Sequence, residues 1–222
     1  MVSIYGEQVQ IVNSFKYLEV VFNDEASEAS EFQARLNQGY VKLATLKPVI
    51  RRKDVLATLE AKLIQALVFS IVTYGCEAWW LTMGERSKLN AFGTEAYRRV
   101  LEIRYIERVS NQEVFARTGC EPMLETQVRL RKLRYFGHVV RHDSLEQDIM
   151  LGMVPGLERQ GGQKKQRIDD ICNWASASET ALTLPNGRIP KALSKTIPAL
   201  VTLARNREVW GRAVHDFANP AP

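Results

Sequence analysis

The sequence predicts a mostly α protein, a multi-helix bundle preceded by a short N-terminal antiparallel β element. Three observations predict it. Apolar residues recur at helical spacing in successive windows beyond residue 30. Two of those windows open on capping-box pairs. Aromatic and β-branched residues in alternation are confined to residues 2–22. With 222 residues, 45% hydrophobic and 25% charged, the chain has the composition of a globular protein. That excludes collagen, a coiled-coil rod and a fully disordered chain. The length suits one large domain or two small ones, with enough core to need no staples.

Val2, Ile4, Val9 and Ile11 alternate with polar neighbours around a turn at Gly6, and 14–22 (SFKYLEVVF) reads as a third strand. Three strands bury no face alone, so they need a helix or further sheet to lean on. After a polar connection at 23–30, the window 31–46 carries Phe32, Leu36, Tyr40 and Leu43 at helical spacing, with Pro48 as its stop. Asp54 is a cap for a helix whose Leu56, Leu59, Leu63, Leu67 and Tyr74 form one stripe, closed by Gly75. Thr82 and Glu85 precede Leu89, Phe92, Ala96 and Val100 on one face. Ser110 and Glu113 repeat that spacing before a short helix ending near Gly119. Pro122 suits the first turn of a long helix reaching about His142. Residues 155–167 have loop composition, and another helix starts near Ile168. Pro185, Pro190 and Pro198 break the chain before a last helix with Leu200, Leu203, Trp210, Val214 and Phe217.

The net charge of +5 permits an anionic partner without demanding one. It is concentrated: residues 128–167 hold nine basic and four acidic side chains. On the helix around 123–142, Leu130, Leu133, Phe136, Gly137 and Val140 share an apolar arc, and Arg131, Arg134, His138 and Arg141 fall on the neighbouring one. Arg129 and Lys132 flank the apolar arc with room to extend their charges outward. Tyr135 beside the row is suited to stacking. Gly161 and Gly162, followed by Lys164, Lys165 and Arg167, continue the charge in a pliable segment. A row of cations plus exposed backbone N–H groups suits phosphate contact. The same row also reads as a solvated helix face, and the same segment as a linker. No nucleotide-binding fingerprint is present.

Other chemistry has weaker signals. Asp169 and Asp170 stand at a helix start, where acids meet the helix dipole favourably, and lack the flanking strands of a polymerase carboxylate pair. His138 and His142 have metal-ligand spacing, and Cys120 and Cys172 are the residues to complete a zinc set, but no C-x-x-C anchors it. Cys76 sits in an apolar run and reads as core, and Tyr74, Trp79, Trp80 and Tyr97 read as packing residues. Three cysteines form no disulfide framework, so a reducing compartment is the default. The first residues lack a signal-peptide pattern, and the longest uncharged run, 63–76, is too short to span a bilayer. The expected location is intracellular, nucleus or cytoplasm.

Taken in order, SFKYLEVVF at 14–22, LIQALVFSIVTYGCEAWWL at 63–81, AYRRVLEI at 96–103, LRKLRYFGHVVR at 130–141 and GGQKKQRIDDI at 161–171 resemble a known family. The chain is similar to the region after the catalytic palm in reverse transcriptases of LINE-type (non-LTR) retrotransposons, over roughly residues 2–175. The resemblance implies a division into 1–24, a β element that is the remnant of the palm and primer-support edge; 28–105, a helical thumb-like domain; 106–182, a post-thumb connection with the basic helix and glycine loop; and 183–222, a tail with one helix. It implies a nucleic-acid-binding fragment of an RNA-directed DNA polymerase whose partner is RNA, RNA–DNA hybrid or target DNA. The family's magnesium-binding aspartates belong to a palm that this chain lacks, so no cofactor and no activity are expected in isolation. Two departures stand out. The family reads Tyr-Leu-Gly where this chain has Tyr17-Leu18-Glu19, and Gly162 stands where the family often has a cation.

The residues expected to contact the phosphate backbone are Arg131, Arg134, His138, Arg141, Lys164, Lys165 and Arg167, with Arg51, Arg52, Lys53, Arg98 and Arg99 as further candidates in the thumb-like part. Two other readings stand beside it: a helical interaction or scaffold module, and a small zinc-dependent enzyme using His138, His142 and cysteines.

Overall fold

The computed structural model describes residues 2–4, 7–9, 12–17, 20–23, 28–50, 56–120, 124–151, 167–177, 183–184, 187–188 and 197–218, and these are mostly helical. Among the described residues the expected β element does not come together as one sheet: Val2–Ile4 pairs antiparallel with Glu7–Val9, and Ser14–Tyr17 with Val20–Asn23, as separate two-stranded ladders. The register Tyr17↔Val20 folds back on itself the segment read above as a single strand. Ribbons of this size bury no face, so the core is helical.

The chain divides into two compact units, Met1–Gly75 with Glu95–Cys120, and Cys76–Thr94 with Glu121–Pro222. The first contains α1 (Glu28–Ile50), which buries Phe32, Leu36, Gly39, Leu43 and Leu46 at three- and four-residue steps. Pro48 lies inside this helix rather than ending it. In the last turn a proline removes one hydrogen bond and disturbs only the turn before it. There follow α2 (Ala57–Ile64), a wide π turn (Gln65–Phe69) and α3 (Ser70–Val72). Here the expected core stripe points the other way. Leu56, Leu59, Leu67 and Tyr74 are 75%, 57%, 39% and 44% exposed, while Ala61, Ile64, Val68, Phe69 and Val72 are buried. Both sides of this window are apolar, so its periodicity does not choose between them. The side carrying Ala, Val and Ile is the one covered, where α1 packs on the π turn and α3, and α5 (Asn111–Thr118) packs on α2.

Ser110 caps α5 by accepting from the Glu113 amide at 3.2 Å, and Gly119 at φ 63° ends it in the left-handed conformation. Phe69, Tyr97 and Phe115 form an edge-to-face chain with ring centres 5.4 and 6.3 Å apart. Tyr97, which belongs to α4 (Met83–Val100), accepts a hydrogen bond from the Gln65 amide at 2.8 Å. Beyond α4, Glu102 takes φ 51°. The Ile103 amide bonds the Arg98 carbonyl and the Glu102 amide the Arg99 carbonyl. This is a Schellman closure with glutamate where glycine is preferred.

The second unit starts with the Thr82–Glu85 capping box, reciprocal as the sequence indicates. The Thr82 amide bonds Glu85 Oε2 at 2.8 Å, and the Glu85 amide bonds Thr82 Oγ1 at 3.3 Å. It contains the first part of α4, then α6 (Leu124–Val139), α7 (Leu145–Leu151), α8 (Arg167–Ala177), α9 (Ile197–Arg205) and α10 (Arg207–Ala218). Leu133, Phe136, Val140, Ile168, Ile171, Trp174, Leu200, Leu203, Trp210, Val214 and Phe217 form its core. The C-terminal residues carry two helices instead of one, because Asn206 interrupts them and its Oδ1 accepts from the Glu208 and Val209 amides at 3.2 Å each. Among the described residues, no helix is long and apolar enough to cross a membrane.

Candidate nucleic-acid interface

The basic residues of α6 are positioned by what the helix buries. Leu133, Phe136, Gly137 and Val140 lie inward, as their spacing predicts. The N-terminus is held by Asn90, whose Oδ1 accepts from the Glu125 amide at 3.0 Å. At Gly137, α10 approaches so closely that a Cβ would lie 2.1 Å from Trp210 Nε1. That indole N–H donates to the Leu133 carbonyl at 3.0 Å. The glycine thus sets the depth at which α10 seats against α6.

The inner side of the helix also carries charge. Lys132 does not reach outward as expected. It is 4% exposed, and its Nζ donates to the Trp79 carbonyl at 2.7 Å and to Asp170 Oδ2 at 3.0 Å. Asp170, 1% exposed, also accepts from Arg86 Nη2 at 3.3 Å. Asp170 is therefore the counter-ion of a buried cation, a role beyond the dipole interaction read from sequence. Arg129 grips Glu125 Oε1 through two nitrogens at 3.1 and 2.6 Å, and Arg129 and Lys132 both lie over the Trp174 ring, at 5.5 and 5.4 Å. These carboxylates hold the helix in place and leave its inner cations no charge to offer a ligand.

The expected outer row is only partly presented. Arg134, Tyr135 and His138 are exposed on α6. Arg134 forms no hydrogen bond or ion pair among the described residues. Arg131 is half-buried and engages Cys76. Burial pushes that thiol up to about 12, Glu77 adds to the rise, and Arg131 and Lys132 partly offset it. Arg141 is half-buried, and its Nη1 donates to the Ala204 carbonyl at 2.9 Å, closing the last turn of α9. Two of the four expected backbone contacts are thus committed to structural work, because the arc that carries them borders the packed arc.

In the first unit, Arg98 is half-buried and its Nη2 donates to the Val109 carbonyl at 2.6 Å and to Asn111 Oδ1 at 2.9 Å. Arg99 is exposed, pairs with Glu95 and lies 5.9 Å from the Tyr40 ring centre. Both border a groove of about 590 Å³ that Lys47, Arg104, Leu43, Ile103 and Glu102 also line. Sequence reasoning missed Lys47 and Arg104. They lie far apart in the chain, and only the packing of this unit brings them to one groove.

Arg51, Arg52, Lys53, Lys164 and Lys165 lie outside the described residues. Arg167 opens α8, and its side chain lies outside them as well. For the zinc reading, the structure brings together His138 and His142, with ring centres 4.9 Å apart, but among the described residues no three His, Cys, Asp or Glu side chains converge. Trp79 and Tyr97 are core as expected, whereas Trp80 and Tyr74 are partly exposed, at 38% and 44%, and the Arg35 guanidinium sits 4.7 Å over the Tyr74 ring. The chain matches no protein-family model, no curated protein and no solved structure.

Proposed function

We propose that the chain binds the phosphate backbone of RNA or an RNA–DNA hybrid, without reading bases, as the thumb and post-thumb piece of a non-LTR reverse transcriptase. The observation that carries this reading is the exposed strip Arg134–Tyr135–His138. It is the part of the basic arc left to solvent while Arg131 engages Cys76 and Arg141 the Ala204 carbonyl. A cation and an aromatic ring side by side fit a strand's phosphate and an unstacked base. Lys164 and Lys165 precede α8 and Arg167 opens it, adding charge there, and the groove bordered by Lys47, Arg98, Arg99 and Arg104 is a further basic surface in the first unit. The chemistry of polymerisation belongs to magnesium-binding aspartates outside this chain.

The test is anisotropy of a labelled RNA–DNA hybrid with the full chain across a salt series. Arg134→Gln should lower the log–log salt slope by up to ~0.9 on duplex, the value of one released counterion. An unchanged slope rejects the strip.

One observation favours the second reading, a protein-interaction module. Leu56, Leu59, Leu67, Val41 and Tyr74 expose apolar surface on the first unit, and Val41, Ile71 and Tyr74 line an open groove of about 880 Å³. That reading expects association insensitive to salt and lost on Val41→Asp, with the hybrid unbound.

A further inference from the structure

We propose that His138 and His142 form a two-imidazole site for a divalent transition-metal ion of the zinc and nickel class, in which solvent supplies the other ligands. Both side chains are exposed, and their rings are 4.9 Å apart at 61°. Two imidazoles on one ion, with metal–nitrogen distances of ~2.0–2.1 Å, place their ring centres ~4.5–5.2 Å apart for bond angles between octahedral and tetrahedral. The observed separation lies in that interval.

The backbone beneath the pair is held on both sides. His138 lies in the last turn of α6, flanked by buried Gly137 and Val139. The His142 amide bonds the Val139 carbonyl at 3.1 Å and the Arg141 amide the His138 carbonyl at 3.3 Å. Between the two histidines, Val140 is 1% exposed in the core and Arg141 is tied to the Ala204 carbonyl. The two Cα positions therefore start from a fixed spacing, and chelation has only the two side-chain rotors left to order. Neutral imidazole nitrogen suits zinc, copper and nickel over magnesium or calcium, which prefer oxygen.

The test is calorimetric titration of the full chain with Ni²⁺ and Zn²⁺ in a non-chelating buffer. The expected result is one saturable ion per chain, with nickel and zinc far ahead of manganese. His142→Ala and His138→Ala should each weaken uptake at least about tenfold, because the surviving ring loses its chelate partner. The chain's third histidine, His215, is exposed on α10, and His215→Ala should leave uptake unchanged. Both ligand positions are on the surface, so circular dichroism of the variants should match the parent, and histidine ring NMR signals of the parent should shift for residues 138 and 142 alone. Uptake that His142→Ala leaves intact, or no saturable uptake, overturns the site.

Discussion

The Trp210 indole fills the space that a side chain at position 137 would need. Its N–H is bonded to the Leu133 carbonyl one helical turn before that glycine. In an ordinary exposed helix, glycine to alanine stabilises by about 0.5–1 kcal/mol. At Gly137 the sign should reverse: Gly137→Ala is expected to cost about 1–3 kcal/mol in urea unfolding, as an overpacked contact does. Gly211, exposed on α10 with no heavy atom within 4 Å of an added Cβ, is the matched control. Gly211→Ala should raise stability by about 0.5–1 kcal/mol. Equal effects at the two positions would refute the tight seat.

Removing one member of the buried ion pair should hurt far more than removing both. Asp170→Asn leaves Lys132 uncompensated at 4% exposure and is expected to cost about 3–5 kcal/mol. The double replacement Lys132→Met with Asp170→Leu should recover most of that loss, because Arg86 keeps Glu125 at 3.7 Å. Denaturant titration of Lys132→Met, Asp170→Leu and the double variant beside the parent gives the coupling directly.

Glutamate at a left-handed position stores a removable strain. Glu102→Gly at φ 51° should stabilise by about 1 kcal/mol, the cost a side chain meets in that region. Glu102→Ala removes the charge and keeps the strain, so its gain should be smaller. The difference between their thermal midpoints isolates the backbone contribution.

Glu60 should give a pH signature of defined sign. Burial first, and then the charge of Glu102, raises its pKa. Its proton is thus held more tightly when folded, so its contribution is intact below the unfolded value of about 4.3 and is lost as pH rises through the folded value. Glu60→Gln should therefore be more stable than the parent at neutral pH, and the gap should close in acid. A gap that widens on acidification would contradict this.

What the sequence disclosed follows the range of the forces involved. The capping box at Thr82, the N-cap at Ser110 and the inward arc of α6 are local arrangements that appear where the spacing places them, although the Glu113 carboxylate pairs with Arg117 instead of closing a second box. The face of α2 was not legible, since Leu56, Leu59, Leu63 and Leu67 compete with Ala61, Ile64 and Val68 and only neighbouring helices decide between them. Lys132 carried an unused signal: it stands four residues from both Val128 and Phe136, on the buried stripe, where a cation requires a carboxylate. Asn206 was equally readable as a helix cap inside what looked like one continuous helix. The division of the basic arc between solvent and structure was not readable, because Ala204 and Cys76 are distant in the chain from the arginines they engage.

The wide turn at Gln65–Phe69 has its own consequence. It accommodates a surplus residue within an otherwise regular rod, in the manner of an insertion absorbed without breaking the coil. Deleting one residue there would restore the common pitch and leave the residues up to Gly75 on the faces they now present, because the wide turn takes up the roughly 100° that an extra residue would otherwise add. Val72 would stay in the interior and Tyr74 at the surface, so a chain shortened here should keep its assembly, whereas the same deletion in the regular turns of α2 would turn Val72 out of the core.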